Sequence, residues 1–264
     1  MTDPAAGDVV LTDVSKNVAT ITLNRPGRRN ALSSEVIRGL LDSFAAAKSD
    51  DGVRVVVVTG AGDKAFCAGG DLGGGAAPAT FAEAHAARGA VADVFRAVYA
   101  LGKPTIAKVR GYALAGGFGI ALMCDFVVAA DDAVFGTPEI NVGMYPMMIT
   151  APMLRSMAPK VALDLQLTGR RVSAEEGHRL GFVTEVVAPD RLDEAVAERA
   201  DVLASKPGAI MALGRDAFYR VLDQSMEDAL AYLHGSLSLV MQTEDHREGI
   251  KAFLEKRAPV WTGQ

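Results

Sequence analysis

Three short segments hold residues whose types and spacing could do chemistry. The first is AFCAGGDL (65–72), which follows an apolar run. The second is GYALAGGFGIAL (111–122), where Gly116 and Gly117 stand at the entry to a helical stretch. The third is FGTPEINVG (135–143), with one carboxylate, Glu139. Glycines let backbone N–H groups approach a ligand closely. The first N–H groups of a helix lack internal partners and form the positive end of its dipole. Two such loops aimed at one oxygen would make an oxyanion hole, and a carboxylate beside it would move a proton. Each segment also has a plainer reading. Glycine loops after strands are commonly turns. Thr137-Pro138-Glu139 reads as an N-cap, an N1 proline and a first-turn acid, which would make Glu139 a dipole-stabilising residue. The residues alone reach an oxyanion site plus one carboxylate, and stop there.

Other chemistries lack their signatures. There is no G-x-x-x-x-G-K-[ST] and no H-E-x-x-H. No G-x-S-x-G nucleophile elbow occurs. Gly117 and Gly119 begin a G-x-G, but Leu122 stands where a dinucleotide fingerprint needs its third glycine. The two cysteines, Cys67 and Cys124, form no C-x-x-C pair, and His85, His178, His234 and His246 show no ligand spacing. Neither a disulfide framework nor a metal site is expected.

The elements that must position these loops follow from periodicity. VVLTDV (9–14) and VATITL (18–23), joined by Ser15-Lys16-Asn17, predict a hairpin. A basic loop, NRPGRRN (24–30), follows. A helix begins near Ser33 or Ser34, with Val36, Leu40 and Phe44 at helical spacing. VRVVVVT (53–59) is a continuous apolar run, the mark of a strand buried on both faces. A helical stretch then runs to about Leu101, and PTIAKVR (104–110) and FVVAA (126–130) are further strands. Strands alternating with helices predict an α/β fold with a parallel sheet. From about Asp190 the pattern is all helical. There Met226, Leu230, Leu233, Leu237 and Met241 make one apolar face, for core or subunit packing.

Composition narrows the partners. The chain has 264 residues, is 50% apolar and 22% charged, and bears a formal charge of −5. A mildly acidic chain lacks the basic footprint of a nucleic-acid binder. The N-terminus has no basic region before an apolar run, and the most apolar stretch, 112–124, is too short to span a bilayer. A soluble, cytoplasmic protein is expected, with no nucleic-acid or membrane partner.

Taken together, NRPGRRNAL (24–32), AFCAGGDL, KPTIAKVRGYALAGGFGIALMCD (103–125), FGTPEINVG, LTGRRVSAEEGHRLGFVTEVV (167–187) and EGIKAFLEKR (248–257) resemble the crotonase superfamily, the enoyl-CoA hydratase/isomerase family. The segments occur in the family's order and cover nearly the whole chain. The resemblance implies a spiral of β-β-α turns over 1–190 that holds the site. It implies a helical trimerisation region over 191–264, in a homotrimer or a hexamer of paired trimers. It also implies an acyl-CoA thioester as substrate, so that coenzyme A arrives with the substrate and no separate cofactor is required. By motif matching, the thioester oxygen takes the N–H groups of Gly70 and Gly116. Arg28, Ala31, Ala68, Asp71 and Leu72 match positions along the CoA, and Phe253 and Lys256 match positions at its adenine and phosphate end, often supplied by a neighbouring subunit.

One departure bears on the reaction. Hydratases of the family use two glutamates. Glu139 matches one, and Gly119 stands in place of the other. Asp125 matches neither and reads as structural. Hydration divides water activation and proton delivery between two acids, and losing one general acid/base costs about 10²–10⁴ in rate. A 3-enoyl to 2-enoyl shift needs one base only. The resemblance therefore implies a Δ3,Δ2-enoyl-CoA isomerase with Glu139 as proton shuttle. The alternatives are a 2-enoyl-CoA hydratase, with Glu83 or Asp93 as replacement acid, and a non-catalytic acyl-CoA binding protein. The pocket wall is assigned to 73–95 and 144–154. Met144, Met147, Met148 and Met153 there read as core packing or as an adaptable lining.

Overall fold

The computed structural model describes residues 8–71 and 80–263. The chain opens with a hairpin, β1 (Val10–Ser15) and β2 (Val18–Leu23). Ser15 pairs with Val18, so the turn is Lys16-Asn17 alone, one residue shorter than the sequence suggests. Both residues have positive φ, +50° and +65°, the twist that a two-residue hairpin turn requires. Helix α1 (Ser34–Ser49) is capped by the Ser33 side chain and buries Val36, Leu40, Phe44 and Ala47. Strand β3 (Val55–Gly60) leads through a turn to β4 (Ala65–Cys67), and α2 (Phe81–Tyr99) follows. The same unit then repeats as β5 (Thr105–Val109), β6 (Tyr112–Leu114) and α3 (Gly116–Met123). A third pair, β7 (Phe126–Ala130) and β8 (Val134–Gly136), leads into a short 3-10 turn, Pro138–Val142. Then come α4 (Thr150–Ser156), α5 (Pro159–Thr168), β9 (Arg171–Ser173), α6 (Ala174–Arg179) and β10 (Glu185–Val187). Four helices close the chain: α7 (Leu192–Ala204), α8 (Gly208–Val221), α9 (Met226–Val240) and α10 (Glu244–Glu255).

The first strand of each β-β pair joins one sheet and the second joins another. The larger sheet has the order β1-β2-β3-β5-β7-β10, parallel except for the β1–β2 hairpin. The smaller has the order β4-β6-β8-β9, with only β9 antiparallel. Successive β-β-α turns thus stack side by side, as the expected spiral does.

The predicted two-faced burial of β3 has a direct cause. Val56 and Val58 face the main core with α1, α2 and α3. Val55 and Val57 face a second apolar layer with Leu192, Val196 and Ala200 of α7. The helical segment after residue 190 is therefore anchored to the sheet by its first helix. Helix α8 is tied in by Arg215, whose guanidinium donates to Asp125 and to the carbonyls of Val98 and Tyr99. The α9 stripe, in contrast, joins neither apolar core among the described residues, and Met226, Leu230 and Leu237 are exposed. Among the described residues, no helix is long and apolar enough to cross a membrane.

Candidate active site

Three backbone segments converge because their loops are hydrogen-bonded to one another. The basic loop 24–30 lies along the segment after β4. Ala68 N–H donates to Arg29 O (3.0 Å), Leu32 N–H to Gly69 O (2.8 Å) and Asp71 N–H to Leu32 O (3.1 Å). Asn30 is buried, and its side-chain amide donates to Ala61 O and Ala65 O. The Arg25 guanidinium donates to Ala31 O and pairs with Asp71 (2.9 Å). This frame holds Gly70 from both sides.

Gly116 is held differently. Ala115, just before it, has φ +52° and ψ −129°, a conformation that L-residues rarely adopt and that costs about 1–3 kcal/mol. It persists because Ala115 N–H donates to Gly136 O (2.9 Å) and Gly119 N–H closes on Ala115 O (3.0 Å). The strained turn swings the chain from β6 into α3. It also packs against the first loop, since a Cβ added at Gly69 would lie 2.5 Å from Ala115 Cβ. Only a glycine there lets the two loops meet. Neither the Gly70 nor the Gly116 N–H has an acceptor among the described residues.

Both amides border one cavity of about 650 Å³, and Glu139 borders it too. The three residues matched as catalytic are thus brought together, from loops far apart in sequence. The remaining wall is largely apolar: Leu32, Val91 and Phe95 on one side, Val142, Met144, Met147 and Met148 on another, with Arg88 and Tyr145 as polar members. Three of the four methionines line the site, whereas Met153 is fully buried in the core.

Glu139 departs from the dipole-stabilising reading. The turn it opens is a five-residue 3-10 segment, and Thr137 makes no cap, because its hydroxyl donates to Leu165 O instead (2.9 Å). Glu139 Oε2 is buried and has no hydrogen-bond partner among the described residues. Burial pushes its carboxyl above the ordinary carboxylate range, and its own backbone N–H only partly opposes that. A residue placed to stabilise a helix start would be shifted the other way. A carboxyl with one buried, unpartnered oxygen, on the same cavity as two N–H groups without described acceptors, is suited to taking and returning a proton.

The vacancy of a second acid at Gly119 has a structural counterpart. A Cβ at Gly119 would lie 2.3 Å from Phe95 Cζ. The phenyl ring is packed against α3 where a longer side chain would emerge. Glu83 and Asp93, named as replacement acids, do not border the cavity. Glu83 is committed to a capping box with Thr80 at the start of α2, and Asp93 pairs with Arg96 in solvent. Residues 72–79 include no acid. Among the described lining residues, Glu139 is the one carboxylate.

The CoA-matched residues fall into three groups. Ala68 borders the cavity, and Ala31 is buried in the supporting loop. Asp71 has its carboxylate committed to Arg25, so its contribution is to hold the loop. Arg28 is exposed at the outer edge of the same loop. Leu72 lies outside the described residues. Phe253, 81% exposed, and Lys256 lie on and just after α10 and do not border the cavity of this chain. Phe95, Val91 and Arg88 lie within the wall segment 73–95 that the sequence assigned, though it did not single them out. Their i, i+3, i+7 spacing on one face of α2 was the available signal.

Known proteins are similar to this chain over nearly its full length. A family model described as "Enoyl-CoA hydratase/isomerase" matches residues 13–264. The (E)-benzylidenesuccinyl-CoA hydratase of Thauera aromatica is 35% identical, covering 96% of this chain and 99% of its own. The crotonyl-CoA hydratase of Syntrophomonas wolfei is 34% identical, covering 94% and 95%. The crystal structure of an enoyl-CoA hydratase from Mycobacterium smegmatis superposes with a TM-score of 0.91 at 37% identity, covering 96% of this chain and 98% of that one. Sequence, fold and the convergence of the two glycine loops agree, and the chain belongs to the enoyl-CoA hydratase/isomerase family of the crotonase superfamily.

Proposed function

We propose that this family enzyme moves a double bond in an acyl-CoA thioester, from the 3-enoyl to the 2-enoyl position, with Glu139 as its single acid/base. The observation that carries the reading is Glu139 itself, an under-solvated carboxyl that borders the same cavity as Gly70 and Gly116, with no second described carboxylate there. The thioester oxygen accepts hydrogen bonds from Gly70 and Gly116. Glu139 takes a proton from C2, and the electron pair delocalises onto the thioester oxygen as a dienolate. The same carboxyl returns the proton to C4, and the double bond comes to rest between C2 and C3. Each oxyanion donor is worth about 10²–10³ in rate. Phe95 supports the reading by filling, with an apolar ring, the space against Gly119.

A second reading, 2-enoyl-CoA hydration, is favoured by the names of the relatives, which are hydratases. It requires Glu139 both to activate water and to supply the proton at C2. Self-association of the chain, as a trimer or hexamer, is supported by the exposed apolar stripe of α9, and sedimentation at low and high protein concentration tests it.

The deciding experiment follows a 3-enoyl-CoA by NMR in deuterated water. Movement of the double bond with deuterium at C2 and C4, lost in Glu139→Gln, is the expected result. Formation of a 3-hydroxyacyl-CoA from the 2-enoyl thioester, without any shift from the 3-enoyl isomer, would replace isomerisation by hydration. Binding of both thioesters with neither reaction would leave an acyl-CoA binding protein.

A further inference from the structure

Arg88 is a cation in an otherwise largely apolar wall. It shares one face of α2 with Val91 and Phe95, and all three border the cavity. Its helix neighbours at three and four residues are Ala84, His85, Val91 and Ala92, so no acid neutralises it locally. The two acids of α2 are engaged elsewhere, Glu83 in the capping box and Asp93 with Arg96. Arg88 itself has no hydrogen bond or ion pair with any described residue. Arg25, by contrast, is tied to Asp71 and Ala31. At 1.5 Å per residue, Arg88 stands about 10 Å along the helix from Phe95, which packs on α3. A chain held at Gly70 and Gly116 and running along this wall would bring its far end past apolar side chains to the guanidinium.

We propose that Arg88 is a specificity-determining residue that pairs with a carboxylate at the far end of the acyl chain, so that the preferred substrate is a thioester of a dicarboxylic acid. This rests on the acyl-CoA reading of the site but not on which reaction follows. Guanidinium matches a carboxylate in a two-pronged geometry that an ammonium lacks. The phosphates of CoA offer related anionic chemistry, so the test separates the two sources.

Calorimetry would measure binding of succinyl-, glutaryl- and adipyl-CoA, each against butanoyl-, pentanoyl- or hexanoyl-CoA of the same length. The wild-type protein is expected to prefer at least one dicarboxylic member over its neutral counterpart by about 10-fold, the value of one charge-assisted pair at a partly wet site. Arg88→Met is expected to abolish that preference, with the loss falling on the dicarboxylic series. Arg88→Lys is expected to keep part of it. Equal weakening of both series in Arg88→Met would assign the guanidinium to the CoA phosphates and overturn the proposal. Absence of any preference in the wild-type protein would overturn it as well. Failure of every thioester to bind would remove the acyl-CoA reading itself, and this inference with it.

Discussion

Two carboxylates, Asp125 and Glu139, are both withdrawn from bulk water and have opposite fates. Asp125 has a full set of donors. It accepts from the Thr105 N–H (2.7 Å), the Thr105 hydroxyl (2.9 Å), the Arg215 guanidinium (2.9 and 3.0 Å) and the Tyr219 hydroxyl. Burial, and then the nearby Asp125 charge, push the Tyr219 phenol above its ordinary range, so the phenol stays a donor. Glu139 has an oxygen with no partner among the described residues and a carboxyl raised by desolvation. A buried acid whose lone pairs are all used joins elements, here β5, α3 and α8. A buried acid left short of donors is unstable where it stands, and that deficit makes it a reagent. The lesson is that burial alone does not distinguish scaffold from chemistry, whereas the count of donors does.

The comparison can be broken from either end. Glu139→Gln is expected to lower isomerisation or C2 exchange by about 10²–10⁴ with the fold intact, measured by NMR in deuterated water and by thermal melting. Its pH signature is specific. With a folded pKa above the ordinary value of 4.5, the folded state binds more protons than the unfolded state between those two values. Stability therefore falls as pH rises through that window. Glu139→Gln lacks this penalty, so its urea midpoint should match wild type in acid and exceed it at neutral pH. Activity should also show an acid limb above the usual carboxylate range, because only the ionised carboxyl accepts the proton. A variant that loses stability at neutral pH would put Glu139 in the same class as Asp125.

Asp125→Ala tests the other end. Removing one partner of a buried pair strands Arg215 and costs about 3–5 kcal/mol, read from urea unfolding. Exchange at C2 in the remaining folded protein should be retained. Gly119→Ala is smaller. Its Cβ meets Phe95 at 2.3 Å, and such overpacking costs about 1–3 kcal/mol. Gly119→Ala combined with Phe95→Ala should lose less than the sum of the two single losses, and a purely additive double variant would show that the two residues do not press on each other. The smallest effects belong to the exposed acids. Glu83→Gln keeps an amide at N3 that can still close the capping box, Asp93→Asn removes only a surface pair, and neither should change the exchange rate. A fall in exchange with either would restore a second acid to the site.

Much of the fold was legible along the chain. Residues 126–130 form a strand with the predicted ends, and the four-valine run of β3 is buried on both faces. Ser33 caps α1, and Gly116 opens α3. Local rules govern these features, because apolar period, cap chemistry and turn residues act within a few positions. The departures have both local and long-range causes. The hairpin turn contracted by one residue, since Lys16 and Asn17 both accept positive φ. Thr137 did not cap, since Leu165 O offered its hydroxyl a buried acceptor across the fold. The role of the Met cluster was divided by packing, with Met153 in the core and Met144, Met147 and Met148 on the cavity wall.

By itself the sequence determined the strand-helix alternation, the two glycine loops, the lone carboxylate in the third segment and the absence of an acid at Gly119. Those are properties of residues and their near neighbours. Only the tertiary structure decided that Gly70, Gly116 and Glu139 border one cavity, and that Phe95 lies against Gly119. Among the described residues, it alone left Glu139 Oε2 without a donor and Arg88 without an acid. The reason is physical. Whether a polar group finds a partner depends on which distant segments the packed core brings within hydrogen-bond reach, and no spacing along the chain encodes that distance.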